Sequence, residues 1–393
     1  MTWFPKGDFL KLTIQALHFG KKKRGKFPPN LKRYTKSSGI SIEEFTPPEI
    51  TRTNCTSVTA RIFDISGLLS PLLLNLKSDL RKLIAFESNW KLPIPDHQRA
   101  VWVNNFKIIK EVRDILYVRC SIPSDAVSSK ARILLLADAA DDGIIFAAYV
   151  GYLRKCRSWS SDLLFGKGLL APENWTIPQK ELHGLSAVAN LKPVLENSLG
   201  SWVDKYYAFS NSEIAICWSI YDKVKLTTFV RNRVVNIRTK LGLDILHHDG
   251  KNNPCDTGTC PELITADGVN PGSLWLKGAD WMKLLIETAK ESGVIKSAGD
   301  IKLSNDEKKV FKKELVYDTF KEENIGAFSV KRYEKLDKDK VEERLKFSKY
   351  IYPPLKRNFK SILRIIALVM VATRKFKKLL WMKQIEREDR SKD

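Results

Sequence analysis

With 393 residues, 43% of them hydrophobic and including ten Trp and eighteen Phe, the chain has the apolar material for more than one packed core and is no disordered polymer. Six scattered cysteines exclude a disulfide-stapled scaffold and fit a reducing compartment. The net charge of +22 sits at the ends: residues 1–40 carry ten Lys/Arg against one Asp, residues 344–393 carry fifteen against four acids, and the 303 residues between carry only +2.

Basic ends on a near-neutral body are expected to attract a polyanion, nucleic acid before an anionic membrane. The plainer alternative is a pair of solvated tails with no specific partner. Met1–Asp8 has no apolar stretch of the kind a signal peptide needs, so a cytoplasmic, non-secreted location is expected.

Along the chain, Trp3-Phe4 and Phe9–Ile14 alternate briefly and predict short strands, until Lys21–Pro29 breaks the pattern with charge, Gly and Pro. From Thr51 the pattern turns helical, with Val58, Ile62, Phe63 and Ile65 on one face and Leu68–Pro71 as the close. Leu72–Phe86 is a second helix with Leu74, Leu76, Leu80, Leu83 and Ile84 inward, and residues 98–118 are a third helix or helix pair.

Ile133–Ala137 is a continuous apolar run, the signature of a central strand buried on both faces; Ile144–Val150 is its antiparallel neighbour, and Lys155–Trp159 a third strand. Thr176-Ile-Pro178 opens a helix that Pro193 is expected to interrupt about four turns on. Tyr206–Phe209 reads as a strand, Glu213–Tyr221 and Leu226–Lys240 as helices, and Leu243–His247 as a last strand. Trp281–Ser292 is a helix ended by Gly293. Asn305–Lys340 is solvated helix or linker, and Phe359–Glu386 a long basic helix. The apolar part of that helix, Ile362–Ala372, contains Arg364 and falls short of the ~20 residues a membrane span needs. Docking on protein is expected rather than a membrane partner.

Four boxes carry candidate chemistry: Leu134-Leu-Leu-Ala-Asp138, Ile177-Pro-Gln-Lys-Glu181, Tyr206-Tyr-Ala-Phe-Ser-Asn211 and Asn252-Asn-Pro-Cys-Asp256. Phosphodiester hydrolysis by two Mg²⁺ ions needs carboxylates from separate elements converging on one point, because one ion activates water while the other stabilises the leaving oxygen. Asp138 at a strand end, Glu181 early in a helix, position 211 after a strand and Asp256 after a turn suit that arrangement. Taken one at a time, Asp138 reads as a strand-end residue and Glu181 as an acid favoured by a helix dipole.

The boxes also carry a resemblance. Residues 131–262 resemble the ribonuclease H domain of Pao-type (BEL/Pao) LTR retrotransposon polyproteins: Asp138-Ala-Ala is similar to an Asp-Ala-Ser box, Trp175–Leu182 to a Thr-Ile-Pro-x-x-Glu-Leu box, Phe209–Trp218 to a box with Asp in place of Asn211, and Asp249–Thr259 to a Gly-Lys-x-Asn-Pro-Ala-Asp box. Upstream, Thr59–Pro71 resembles the connection that follows the reverse transcriptase palm; downstream, Gly272–Trp275 and Gly278–Trp281 resemble the segment after the ribonuclease H domain. The polymerase Tyr-x-Asp-Asp hairpin and the integrase zinc pattern of such polyproteins are not found, so the chain reads as an internal piece, with the absent polyprotein domains as potential partners.

The resemblance implies an α/β fold, a ribonuclease H-like mixed sheet with flanking helices over 131–262. Residues 1–50 are then the end of a reverse transcriptase palm and 51–125 a helical connection. Charged linker helices (263–345) and a basic amphipathic helix (346–393) follow. It implies two-metal, Mg²⁺-dependent cleavage of RNA in RNA/DNA hybrids, a location in the cytoplasm or in virus-like particles, and metal ligands Asp138, Glu181 and Asp256. Asn211, neutral where the family has Asp, removes one negative charge and is expected to impair the reaction. The alternatives are an inactive nucleic-acid-binding module and a non-functional transposon relic. His247, His248, Cys255 and Cys260 match no closed zinc spacing. Arg231, Arg233, Arg238 and Lys240, opposite the apolar Phe229, Val234 and Ile237, are candidate contacts to the hybrid backbone, or else a solvated face.

Overall fold

A computed structural model describes residues 1–19, 40–86, 89–119, 125–127, 131–221, 225–242, 244–260 and 263–315. The expected basic helix at 359–386, and the expected linker beyond residue 315, lie outside the described residues. Among the described residues no helix is long and apolar enough to cross a membrane.

The frame is a six-stranded mixed sheet in the order β6-β5-β4-β7-β8-β9. Its strands are β4 (Ala131–Ala139), β5 (Gly143–Leu153), β6 (Trp159–Leu170), β7 (Val203–Ser210), β8 (Ile245–His248) and β9 (Ile295–Ser297). β4, β5 and β6 form an antiparallel meander, β7 joins β4 in parallel, β8 joins β7 in parallel, and β9 closes the edge antiparallel. The apolar run of β4 is central because both faces are covered. Ile133 and Leu135 pack against α5 (Ile177–Leu199), α6 (Glu213–Ile220) and α7 (Thr228–Leu241). Leu134 and Leu136 pack on the other side against α3 (Ser70–Phe86) and neighbouring segments. This is the expected ribonuclease H-like arrangement of a mixed sheet with flanking helices.

The second face is built from chain ends far apart in sequence. β1 (Thr2–Phe4), β2 (Phe9–Lys11) and β3 (Leu116–Val118) form a small antiparallel sheet. Leu12, Leu17 and Ile50 share one core with Trp102 of α4 (Asp96–Val112), with Trp275 and with Met282. Two short helices, α1 (Ile42–Phe45) and α2 (Arg52–Thr59), complete this layer.

Several local expectations are corrected. The helix from Thr51 stops at Thr59, Phe63 is 63% exposed, and Pro71 begins α3 instead of closing the segment. The Asp64 carboxylate explains this, accepting the N–H groups of Gly67, Leu68 and Leu69 at 2.7–3.1 Å and turning the chain. Gly67 is required there: its φ is +84°, and an added Cβ would lie 1.8 Å from the Gly166 carbonyl oxygen. Proline is tolerated in the first turn that follows, where no N–H partner is lost. Ile84 is exposed rather than inward.

The third helix ends at Val112, and Leu116–Val118 pairs with β2. Lys155–Ser158 is the tight turn before β6, whose first residue is Trp159, with Arg154 N–H bonded to Ser158 O and Arg157 at φ +66°. Pro193 does not interrupt α5, which runs 23 residues through it. Trp281–Ser292 divides into a 3₁₀ turn (Asp280–Lys283) and α10 (Ile286–Glu291), after which Gly293 turns at φ +74°. α8 (Asp256–Thr259), α9 (Leu274–Lys277) and α11 (Asn305–Lys313) complete the described helices.

Candidate functional site

Strand pairing brings two boxes together. Leu136 of β4 stands opposite Phe209 of the parallel β7, so the residues two further on meet: Asp138, near the end of β4, and Asn211, one residue past β7. Asn211 Nδ2 donates to Asp138 Oδ1 at 3.1 Å. The opposite amide orientation would set its oxygen against a carboxylate oxygen, so the donor faces Asp138. Asn211 Oδ1 is left buried without a hydrogen-bond partner.

Thr259, the last residue of α8, donates its hydroxyl to Asp138 Oδ2. Both oxygens of this carboxylate, which is 7% exposed, are therefore held by protein donors. Thr259 was not read from sequence as part of the site; its only signal is its position three residues after Asp256.

Glu181 enters from α5. Gln179 Oε1 accepts the Thr176 N–H at 3.0 Å and fixes the start of that helix. Glu181 is hydrogen-bonded to Ser212, the residue that also caps α6 by accepting the Ala215 N–H at 3.2 Å. Asp256 opens α8 after a turn in which Asn253 Oδ1 accepts the Cys255 N–H at 3.1 Å.

Glu181 and Asp256 each sense the charge of Asp138. Burial pushes Asp138 up against the bonds from Thr259 and Asn211. Burial, with a further contribution from the Asp138 charge, raises Glu181 to about 7 against the Ser212 bond, and raises Asp256 to about 7.

These shifts set a stability profile. Each group binds its proton more firmly folded than unfolded, where the ordinary values are 4.5 for Glu181 and 3.8 for Asp256. The stabilisation is complete below those values and is lost as pH rises through about 7. Burial pushes His183 and His248 down to about 4, and their contribution runs the other way with pH, so the share of the acids is read as a difference. Relative to the native chain, Glu181→Gln or Asp256→Asn should gain urea midpoint between pH 4 and pH 8, and a difference that does not grow with pH contradicts the arrangement.

Two Mg²⁺ ions require several carboxylate oxygens open to one point. Each oxygen of Asp138 already accepts a protein hydrogen bond, and Asn211 turns an N–H toward it. Among the described residues no group of three or more His, Cys, Asp or Glu side chains is placed to hold a metal ion. In this arrangement the residues do not fit a two-metal pair. The nearby histidines have other work: His248 stacks on Trp281 at 5.5 Å and accepts the Gly250 N–H at 3.1 Å, and His247 Nε2 lies 3.8 Å from Glu213 Oε1.

The four basic residues of α7 divide. Arg238 donates to the carbonyls of Ser219 and Tyr221 at 2.5 Å and so finishes α6. Arg233 lies over the rings of Phe229 and Trp175 and donates to His183 Nδ1 at 3.1 Å. Lys240 bonds Asn190. Arg231 is exposed. The helical pattern gave the face of each residue but not the carbonyl at which Arg238 would end.

Residues 51–212 match a family model described as Pao retrotransposon-like RNaseH-like domain. The match runs from just before α2 to the residue after Asn211, so Asp256 and Thr259 lie beyond it. A search of curated proteins finds no match.

Proposed function

We propose, from the premise that residues 51–212 belong to the Pao retrotransposon-like RNaseH-like domain family, that this chain is a nucleic-acid-binding module on a ribonuclease H-like scaffold whose metal-dependent cleavage is silent. The observation that carries the reading is the state of Asp138, with Asn211 donating to one oxygen and Thr259 to the other. A carboxylate engaged in this way serves as a structural hydrogen-bond acceptor. The strongly basic sequence at 1–40 and 344–393 supports a polyanionic partner, and an RNA/DNA hybrid is the partner this scaffold suits. A second reading, a weakened hybrid endonuclease, is favoured by one observation: Glu181 and Asp256 both lie within electrostatic reach of Asp138.

The test is fluorescence anisotropy of a labelled RNA/DNA hybrid with the full chain, in EDTA and in Mg²⁺, across a salt series. Affinity is expected to fall steeply and linearly on a log–log plot as salt displaces phosphate contacts, and not to rise when Mg²⁺ is added. Binding that requires Mg²⁺ would favour the second reading, and no binding would remove both.

A further inference from the structure

A cavity of about 270 Å³ opens beside Asp138, between α3, α4, the turn after β4 and α8. Its inner side is formed by Gly258 and Thr259, the latter being the residue whose hydroxyl holds Asp138. Thr259 therefore belongs both to the wall of the cavity and to the acid site.

The lining is divided. Leu74, Ile108 and Ile264 supply apolar walls, and Val101, 44% exposed, stands at the mouth. The polar end is made by Asn75, Asp79 and Asn105: Asn105 Nδ2 donates to Asp79 Oδ2 at 2.7 Å, while Asn75 Nδ2 makes two long bonds of 3.4 Å, to Asp79 and to Asn105 Oδ1. Asp79 and Asn105 are buried, so the polar groups are fixed in place before any ligand arrives. Lys82, the one cation on the lining, is engaged at 2.7 Å by Asp142, which also accepts from Ser78 at 2.6 Å.

Charge decides the class of ligand. Asp142 engages both Lys82 and, from outside the lining, Arg81, so the lining's one cation is already paired beside two carboxylates and the cavity is unsuited to a phosphate. Apolar walls ending in amides and a carboxylate suit a flat heterocycle with N–H and C=O edges. Asn105 Nδ2 and Asn75 Nδ2 are engaged within the polar end, which leaves Asn75 Oδ1 and Asp79 Oδ1 to accept from the exocyclic amino group of adenine or cytosine. The volume is at the small end for ligand sites, room for one base and not for a base pair.

We propose that this cavity receives one unpaired, amino-bearing nucleobase of a strand that lies across the Asp138 site. The inference rests on the reading that the chain binds nucleic acid. Apolar contact and edge bonding hold the base, while the phosphates on either side remain in solvent or on basic segments. Single-stranded bases splayed from a strand are the form in which such edges are accessible.

The experiment compares anisotropy of a labelled ten-nucleotide adenine RNA with that of the same backbone lacking bases, using the full native chain and Val101→Trp. The native chain should bind the adenine strand about tenfold more tightly than the abasic one. Val101→Trp, which fills the mouth from an exposed position, should lose that preference while keeping its melting temperature and its abasic affinity. Equal native affinity for the two strands overturns the inference even if hybrid binding persists, and so does a Val101→Trp chain that keeps the preference. A native chain that binds neither strand nor a hybrid overturns this inference and the functional reading together.

Discussion

Asn211→Asp is expected to lower folding stability by about 2–4 kcal/mol at pH 8 in the presence of a chelator. The amide now donates to Asp138 Oδ1 at 3.1 Å. A carboxylate in its place would remove the donor and set two like charges on adjacent strand ends, so that one must take up a proton or be pushed away. Burial already holds Asp138 above its ordinary range, and Glu181 and Asp256 are raised to about 7, so little capacity for further negative charge remains. Mg²⁺ should return part of the loss to the variant, about 2.7 kcal/mol at a hundredfold excess over its dissociation constant, and leave the native chain unmoved. Denaturant midpoints with and without Mg²⁺ read both effects. A variant as stable as the native chain in chelator would show that Asn211 is not compensating the acid cluster.

Trp275→Ala should cost about 3–5 kcal/mol, the range for removing a fully buried aromatic side chain. Trp275 is 0% exposed, and its indole N–H donates to the carbonyls of Gly67 and Leu68 at 3.2 and 3.1 Å. Its ring occupies the space a Cβ on Gly166 would need, approaching that position to 2.3 Å. Tyr149 of β5 meets the ring edge-on at 6.4 Å and bonds the Trp275 carbonyl at 2.7 Å. One side chain therefore joins the segment before α3, the centre of β6 and the segment after α8. Trp275→Phe should recover part of the loss by refilling the cavity without the N–H. A loss below about 1 kcal/mol for the alanine variant would contradict this account of the joint.

The same contacts explain what was legible in the sequence. The run Ile133–Ala137 announced a central strand because a strand covered on both faces has no polar alternation to confuse it. The start of α5 was legible from Thr176 and Pro178, local signals that depend on no distant partner. β6 was not legible, because Gly166, Lys167 and Gly168 break its pattern; Gly166 is there for Trp275, more than a hundred residues on, and Gly168 for Leu74. The continuation of α5 through Pro193 was missed for a related reason, since packing outweighs the single backbone bond that proline removes.

In the candidate site, Asp138, Glu181, Asn211 and Asp256 were legible as candidates from spacing and resemblance. Their hydrogen-bonding state was not: the Thr259 hydroxyl on Asp138 and the use of Arg238 to finish α6 depend on side-chain geometry that no periodicity encodes.

The Asp138 site is held by protein hydrogen bonds, and we propose that it supports binding without cleavage. Incubation of the native chain with a labelled RNA/DNA hybrid in Mg²⁺, followed by separation of the strands, tests it most directly. The hybrid should be bound and the RNA strand should remain intact. Mg²⁺-dependent cleavage of the RNA strand that disappears in Asp138→Asn would contradict it.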